Sequence, residues 1–231
     1  MSNQVDTRSK NVNEQPIGTV PPISICIDRV SHSFGSRCVF KEVSASVGAG
    51  QILIVSGSNG SGKSTLLRIV AGLLTQTSGS VAVAIDGAQA PSANCRQAFG
   101  YVAPDLVLYR ELTGAENLQF FADLRGIKLD RGSLIDLLTR VGLRGRGRDL
   151  VGTYSSGMRQ RLKYAFALLS NPPILLLDEP TANLDVDGIA IVERIVEAQQ
   201  NRAGGGLTVV ATNEPREVEW SSLQIHLVAD R

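Results

Sequence analysis

One stretch of eight residues constrains the fold of this chain more than any other feature. It matches the pattern G-x-x-x-x-G-K-[ST] in full, and its residues are Gly57, Ser58, Asn59, Gly60, Ser61, Gly62, Lys63 and Ser64. The apolar run 51–55 before it predicts a buried strand, and apolar residues at helical spacing over 64–74 predict a helix after it. A strand, a glycine turn and a helix N-terminus in this order aim backbone N–H groups at an anion. The sequence therefore predicts a phosphate-binding loop.

The geometry of such a loop assigns roles to its last residues. Lys63 is expected to reach the β- and γ-phosphates of a nucleotide, and the Ser64 hydroxyl to ligate Mg²⁺. Thr65, the next residue, is included among the predicted nucleotide contacts. The glycines allow the backbone to approach the phosphates closely.

Composition and patterning exclude several classes of protein. The formal net charge of +1 over 231 residues gives no sign of bulk affinity for nucleic acid, so we expect no nucleic-acid partner. No apolar run approaches the roughly 18 residues needed to cross a bilayer. Residues 1–22 are polar and lack the apolar core of a signal peptide. We expect 1–22 to be a flexible extension and 23–231 to form the folded domain, whose role at any membrane would be peripheral.

The order of the predicted elements indicates an α/β fold. Alternating apolar residues at 23–29 and 43–47 predict two antiparallel strands ahead of the phosphate loop. Residues 174–178 form a continuous apolar run, which is typical of a strand buried on both faces of a parallel sheet. Helical periodicity dominates the middle of the chain. We therefore predict a P-loop NTPase core with a mainly parallel sheet, an N-terminal antiparallel β subdomain and an inserted helical subdomain at about 104–170.

Two acids close the apolar run, at the edge where open parallel sheets bind ligands. A carboxylate at Asp178 is costly there unless a cation compensates, which predicts that Asp178 holds Mg²⁺. Glu179 lies one residue further on and is predicted to polarise the attacking water. A helix-capping acid pair before Pro180 is the structural alternative.

Four motifs in order resemble those of the ATP-binding-cassette (ABC) family. They are the phosphate loop, the stretch Tyr154–Arg161, the run Leu-Leu-Leu-Asp-Glu-Pro and the stretch Ala182–Asp185. Within the second motif, Ser155, Ser156 and Gly157 are similar to the family's signature Leu-Ser-Gly-Gly-Gln, with Ser156 in place of its first glycine.

The D-loop within the fourth motif and one further position carry the same resemblance, which spans about residues 23–228. Asp185 closes a segment similar to the family's D-loop. Phe34 falls where the family places an aromatic residue that stacks on adenine.

The resemblance implies a mechanism. Two cassettes sandwich two ATP molecules head to tail, so that the phosphate loop of one faces the signature of the other. The expected partners are a second cassette, as a homo- or heterodimer, and an integral membrane transport subunit. The chain would lie in the cytoplasm, peripheral on the cytoplasmic face of the membrane. Its motifs look most like small export-type cassettes, including heme-exporter-like ATPases of cytochrome c maturation.

Two positions depart from the family pattern. The glutamine that touches Mg²⁺ and water in the family is replaced by Pro104, and Asp105 next to it is a substitute candidate for the metal. Asn213 stands where the family has its switch histidine. Asn213 can donate a hydrogen bond to the γ-phosphate but cannot carry a proton or a charge.

Several interpretations of function stay open on the sequence alone. The first is an ATPase subunit that powers export, with Lys63, Glu179 and Asn213 as its catalytic residues. The second is a hydrolysis-poor cassette paired with a more active partner. The third is a soluble ABC ATPase acting on nucleic acid or ribosomes, to which the basic cluster at 144–148 would be relevant.

Overall fold

A computed structural model describes residues 23–228, so the predicted extension 1–22 lies outside the described part of the chain. Its strands are β1 (Ile23–Phe34), β2 (Arg37–Gly48), β3 (Ile52–Gly57), β4 (Ser78–Ile85), β5 (Ala88–Pro91), β6 (Phe99–Val102), β7 (Ile174–Asp178), β8 (Leu207–Thr212) and β9 (Leu223–Leu227). Its helices are α1 (Lys63–Val70), α2 (Gly114–Leu124), α3 (Arg131–Arg140), α4 (Ser156–Leu168), α5 (Val186–Gln200) and α6 (Pro215–Val218).

The first sheet is antiparallel, with strand order β2-β1-β4-β5. Strands β1 and β2 pair as predicted, but both are longer than the alternating segments in the sequence. Register shifts interrupt the β1–β2 pairing, and Arg29 and Glu42 adopt left-handed φ angles of 45° and 50°. These bulges break the two-residue alternation, so the pattern alone ended β1 too early and began β2 too late.

The second sheet is parallel, with strand order β6-β7-β8-β3-β9. Every residue of β3, β7 and β8 is buried, which agrees with their largely apolar sequences. Neighbouring side chains along a strand point to opposite faces and enter two different cores. Ile52 and Ile54 pack on the face covered by the helical insert, whereas Leu53 and Val55 pack on the face covered by α1 and the antiparallel sheet.

The strand order brings three segments to one edge of the sheet. Strand β8 lies between β7 and β3, with Asp178 opposite Ala211 and Ser56 opposite Thr212. The loops that leave the carboxyl ends of β3, β7 and β8 therefore start side by side. This edge is where ligands bind in open α/β sheets.

Helices α2, α3 and α4 lie between β6 and β7, in the stretch for which the sequence predicts a helical subdomain. Helix α2 begins with a capping box, in which Thr113 accepts from the N–H of Glu116 and Glu116 accepts from the N–H of Thr113. None of the helices between residues 23 and 228 combines the length and the hydrophobicity that a membrane span needs.

Candidate functional site

The phosphate loop follows β3 and leads directly into α1, as predicted. Gly57 has a φ of +145°, and a Cβ there would lie 2.3 Å from the Leu227 carbonyl oxygen. Gly62 has a φ of +98°, and a Cβ there would lie 2.4 Å from Cγ1 of Val39. Only glycine fits both positions, because a side chain would be strained in each and would collide with neighbouring atoms.

Lys63 is buried at the start of α1, with its ammonium group inside the loop. Its Nζ donates to the carbonyl oxygens of Gly57 at 2.8 Å and Ser58 at 3.2 Å. Burial lowers the pKa of Lys63, and the carboxylates of Glu179 and Asp178 oppose that shift. The ammonium is thus already positioned where a phosphate oxygen could replace the loop carbonyls as its acceptor.

Asp178 ends β7 with only 2% of its surface exposed. Burial raises the pKa of its carboxyl group, and a hydrogen bond with the Ser64 side chain works in the opposite direction. Its Oδ1 has no hydrogen-bond partner within residues 23–228. An unpaired buried carboxylate oxygen beside a serine hydroxyl fits a divalent cation, since Mg²⁺ binds one or two protein oxygens together with phosphate oxygens. Ser64 and Asp178 are therefore the residues that would hold Mg²⁺.

Glu179 is the first residue after β7. Its N–H donates to the Ala211 carbonyl oxygen at 2.9 Å, and its φ of 49° lies in the left-handed region. This conformation is uncommon for a residue with a side chain and often marks functional sites. The side chain is exposed and faces the same cleft as Lys63 and Ser64.

Lys63, Ser64 and Glu179 share a cleft of about 450 Å³, whereas the buried Asp178 does not line it. Its lining residues are Phe34, Arg37, Cys38, Val39, Asn59, Gly60, Gly62, Lys63, Ser64, Thr65 and Glu179. Phe34 is 56% exposed at the end of β1, so its ring is available for stacking. Arg37, Cys38 and Val39 were missed by the sequence analysis. The β1–β2 hairpin places them at the cleft by pairing Arg37 with Phe34. The short turn after Phe34 is the feature of the sequence that could have identified them.

Asn213 follows β8 and reaches the phosphate loop. Its Nδ2 donates to Oδ1 of Asn59 at 2.6 Å. The segment after β8 is thus linked to the loop by a side-chain hydrogen bond, at the place where the γ-phosphate is expected.

The segment after β6 is held from two sides. Asp105 forms an exposed ion pair with Arg68 of α1 at 2.8 Å. Lys163 of α4 donates to the carbonyl oxygens of Pro104 at 2.6 Å and Ala103 at 3.2 Å. Among the described residues, no three His, Cys, Asp or Glu side chains form a metal cluster, so Asp105 as a metal ligand stays a prediction.

The predicted signature residues and Asp185 lie outside the cleft. Ser155 is the N-cap of α4 and accepts from the N–H of Met158 at 3.1 Å, while Asp185 caps α5 by accepting from the N–H of Gly188 at 2.8 Å. Ser155, Ser156 and Asp185 are exposed. A Cβ at Gly157 would lie 3.4 Å from the Asn183 carbonyl oxygen, so the signature turn adjoins the loop that follows Glu179.

Comparison with solved structures supports this fold. The chain superposes on an ATP-binding subunit of an ABC transporter with a TM-score of 0.75 at 25% identity, over 90% of this chain and 88% of that one. A dimeric post-hydrolysis state of an ATP-binding cassette bound to ADP and phosphate gives a TM-score of 0.77 at 24% identity, over 90% and 97% of the two chains. The predicted fold class is confirmed.

Sequence relatives agree with that fold. The chain is 38% identical to an uncharacterized ABC transporter ATP-binding protein, YdbJ of Bacillus subtilis, over 84% of this chain but only 62% of the relative. It is also 38% identical to the cytochrome c biogenesis ATP-binding export protein CcmA of Xanthomonas axonopodis, over 86% of this chain and 90% of that one. The family model described as ABC transporter matches residues 40–182, more than half of the chain. The resemblance seen in the sequence is thus confirmed, and the chain belongs to the ABC transporter family as an ATP-binding cassette.

Proposed function

We propose that this chain binds and hydrolyses Mg·ATP and powers export through a separate membrane subunit. The observation that carries the proposal is the convergence of Lys63, Ser64, Asp178 and Glu179 at one edge of the sheet. A phosphate cradle, a cation site and a carboxylate base are the parts that phosphoryl transfer to water requires.

Some residues of the site bind the nucleotide, and others act in the hydrolysis. Phe34 stacks on the adenine ring, while the loop N–H groups and Lys63 hold the phosphates. When bound at Ser64 and Asp178, Mg²⁺ neutralises charge on the phosphate oxygens. Glu179 orients a water molecule toward the γ-phosphorus and accepts its proton, as the bond to the leaving ADP oxygen breaks. Asn213 exchanges its contact with Asn59 for a hydrogen bond to the γ-phosphate.

A second cassette completes the site. The exposed N-terminus of α4, with Ser155, Ser156 and Gly157, offers free N–H groups to the γ-phosphate of a partner cassette. Asp185 lies beside it at the start of α5 and would face the same interface. The dimeric state of the solved cassette that superposes on this chain supports the arrangement.

The export role rests on the relatives and on one surface. Proteins named cytochrome c biogenesis ATP-binding export proteins cover nearly the whole cassette, which supports a heme-exporter-like role in cytochrome c biogenesis. The helical insert carries an exposed apolar patch that consists of Val107, Tyr109, Phe120 and Leu124. Within this patch the rings of Tyr109 and Phe120 stack edge to face, with their centroids 5.1 Å apart. The patch supplies a contact for the membrane subunit. The cassette would then lie on the cytoplasmic face of the membrane.

The first test is the steady-state ATPase rate of the purified chain beside Glu179→Gln, with Glu193→Gln on the exposed face of α5 as the matched control. We expect Glu179→Gln to lower turnover by about 10²- to 10⁴-fold, the usual contribution of a general base, and the control to match the parent. Gel filtration in ATP should show a dimer for Glu179→Gln. Equal turnover in Glu179→Gln and parent would remove Glu179 as the base.

The export role needs a cellular test. Cells that carry only the Glu179→Gln chain should lose covalently bound heme in their c-type cytochromes, whereas cells with Glu193→Gln should keep it. Normal heme attachment with an inactive cassette would show that this cassette does not serve cytochrome c biogenesis.

A hydrolysis-poor cassette is the second candidate, because Pro104 offers no side-chain donor and Asn213 cannot carry a proton. It predicts that the chain binds ATP but neither turns over nor dimerises by itself, and gains activity only with a second, different cassette.

A further inference from the structure

One buried acid, Glu217, does not belong to the nucleotide cleft described above. Glu217 lies in the short helix α6, four residues after Asn213, and only 1% of its surface is exposed. Burial raises the pKa of its carboxyl group, while hydrogen bonds from Thr181 and Thr212 hold the pKa down. A buried carboxyl group is costly unless its partners are specific, so its contacts indicate what it does.

The contacts of Glu217 lead to the loop that carries Glu179. Its Oε1 accepts from the backbone N–H of Thr181 at 3.1 Å and also from the Thr181 hydroxyl group. Thr181 lies two residues after Glu179. A single carboxylate oxygen thus holds both the backbone and the side chain of this loop.

The same loop has a second buried anchor. Tyr164 of α4 is fully buried, and its hydroxyl donates to the Pro180 carbonyl oxygen at 2.8 Å. Two consecutive residues of the loop are therefore held from different sides, Pro180 by α4 and Thr181 by α6. With Glu179 itself in a left-handed conformation, these anchors fix the direction of its side chain.

The segment before Glu217 is tied to the nucleotide cleft. The Thr212 hydroxyl accepts from the N–H of Glu214 at 2.8 Å, which shapes the turn into α6. Asn213, inside that turn, donates to Asn59 of the phosphate loop. The segment from Asn213 to Glu217 is therefore hydrogen-bonded to the phosphate loop at its first residue and to the loop of Glu179 at its last.

We propose that Glu217 is a positioning residue, which fastens the loop carrying Glu179 to the segment carrying Asn213 through its hydrogen bonds with Thr181. The proposal rests on the proposed ATP hydrolysis. A nucleotide that draws Asn213 away from Asn59 moves α6, and Glu217 transmits the movement to Thr181 and hence to Glu179. Occupation of the γ-phosphate site and alignment of the base are thereby coupled within one chain.

The chain carries a reporter for this movement. Trp220 is its only tryptophan, and its backbone N–H donates to the Glu217 carbonyl oxygen at 3.2 Å. Its intrinsic fluorescence reports the position of α6 without any turnover. This readout separates a failure of the coupling from a failure of the proposed ATPase.

The experiment compares Glu217→Ala with Glu217→Gln, which keeps an oxygen acceptor for Thr181. Glu214→Ala, an exposed position adjoining the same helix, is the control. We expect Glu217→Ala to lower kcat at least about tenfold with KM for ATP within about threefold, the pattern of a group that acts only in the transition state. Glu217→Gln and Glu214→Ala should stay within about threefold of the parent. ATP should shift Trp220 emission in the parent and in Glu217→Gln but not in Glu217→Ala.

Several outcomes would overturn the proposal. They are unchanged kcat in a folded Glu217→Ala, equal losses in the Ala and Gln variants, and Trp220 emission in the parent that does not respond to ATP. If Glu217→Ala fails to fold, Thr181→Val removes one donor alone and should lower kcat without changing KM. If the parent shows no turnover, the proposed hydrolysis fails, and the Trp220 response still decides the coupling.

Discussion

The hydroxyl group of Tyr164 offers a direct test of how the loop after Glu179 is held. Tyr164→Phe removes one oxygen atom from a side chain that is 1% exposed and leaves the Pro180 carbonyl without its donor. Water cannot replace the donor at this depth. The variant therefore loses a hydrogen bond and keeps the cost of burying its acceptor.

The expected magnitude follows from that burial. Leaving a buried acceptor unsatisfied costs about 1–3 kcal/mol, and for a chain of this size each kcal/mol lowers Tm by about 2–4 °C. We therefore expect Tm to fall by about 2–12 °C. Tyr154→Phe is the matched control, because the Tyr154 hydroxyl donates to the Arg146 carbonyl oxygen at 2.7 Å in a partly buried contact. Water can take over there, so about 0.5–1.5 kcal/mol is expected.

Thermal unfolding without nucleotide measures both variants, since bound ATP would add its own stabilisation. A Tyr164→Phe variant with the Tm of the parent, or a larger loss in Tyr154→Phe, would refute the role assigned to burial. Because Pro180 follows Glu179 directly, Tyr164→Phe should also lower kcat more than its loss of stability explains.

Three further predictions concern the cleft and its surroundings. Gly62→Ala should abolish ATP binding measured by calorimetry, because a Cβ would lie 2.4 Å from a side-chain carbon of Val39 in a backbone conformation that disfavours it. Asn213→His should raise kcat and Asn213→Ala should lower it, since the imidazole can carry the proton that the amide cannot; no difference between them would refute the assignment. Glu217→Gln should raise Tm relative to the parent at neutral pH but not below about pH 4.

The sign of the last prediction follows from the raised pKa of Glu217. A group whose pKa in the folded state lies above its pKa in the unfolded state stabilises the protein at any pH below the unfolded-state pKa. This stabilisation is lost as the pH rises through the folded-state pKa. Glutamine does not ionise, so the Glu217→Gln variant does not lose stability as the pH rises. The other titratable groups facing the carboxyl group are Tyr164 and Glu214, and burial raises the pKa of Tyr164 well above its ordinary value, so Tyr164 stays neutral at and below neutral pH. A Tm difference that is independent of pH would contradict the assignment.

Predictions from the sequence were most successful where the signal is local. The phosphate loop is contiguous, and its glycines, Lys63 and Ser64 occupy the predicted strand–turn–helix context. The fully apolar run 174–178 is a buried strand, as its composition indicates. Strand ends were less successful, since the bulge at Arg29 depends on how β1 pairs with its neighbours β2 and β4.

Short-range backbone preferences and apolar patterning specify the fold class, the phosphate loop and the acids at the end of β7, so these could be predicted from the sequence. Which groups meet across the sheet depends on tertiary packing. The order β7-β8-β3 places Asn213 against Asn59, and packing of α6 brings Glu217 to Thr181. Such contacts join residues far apart in the chain, and they form only when strands and helices pack together to bury both faces of the parallel sheet.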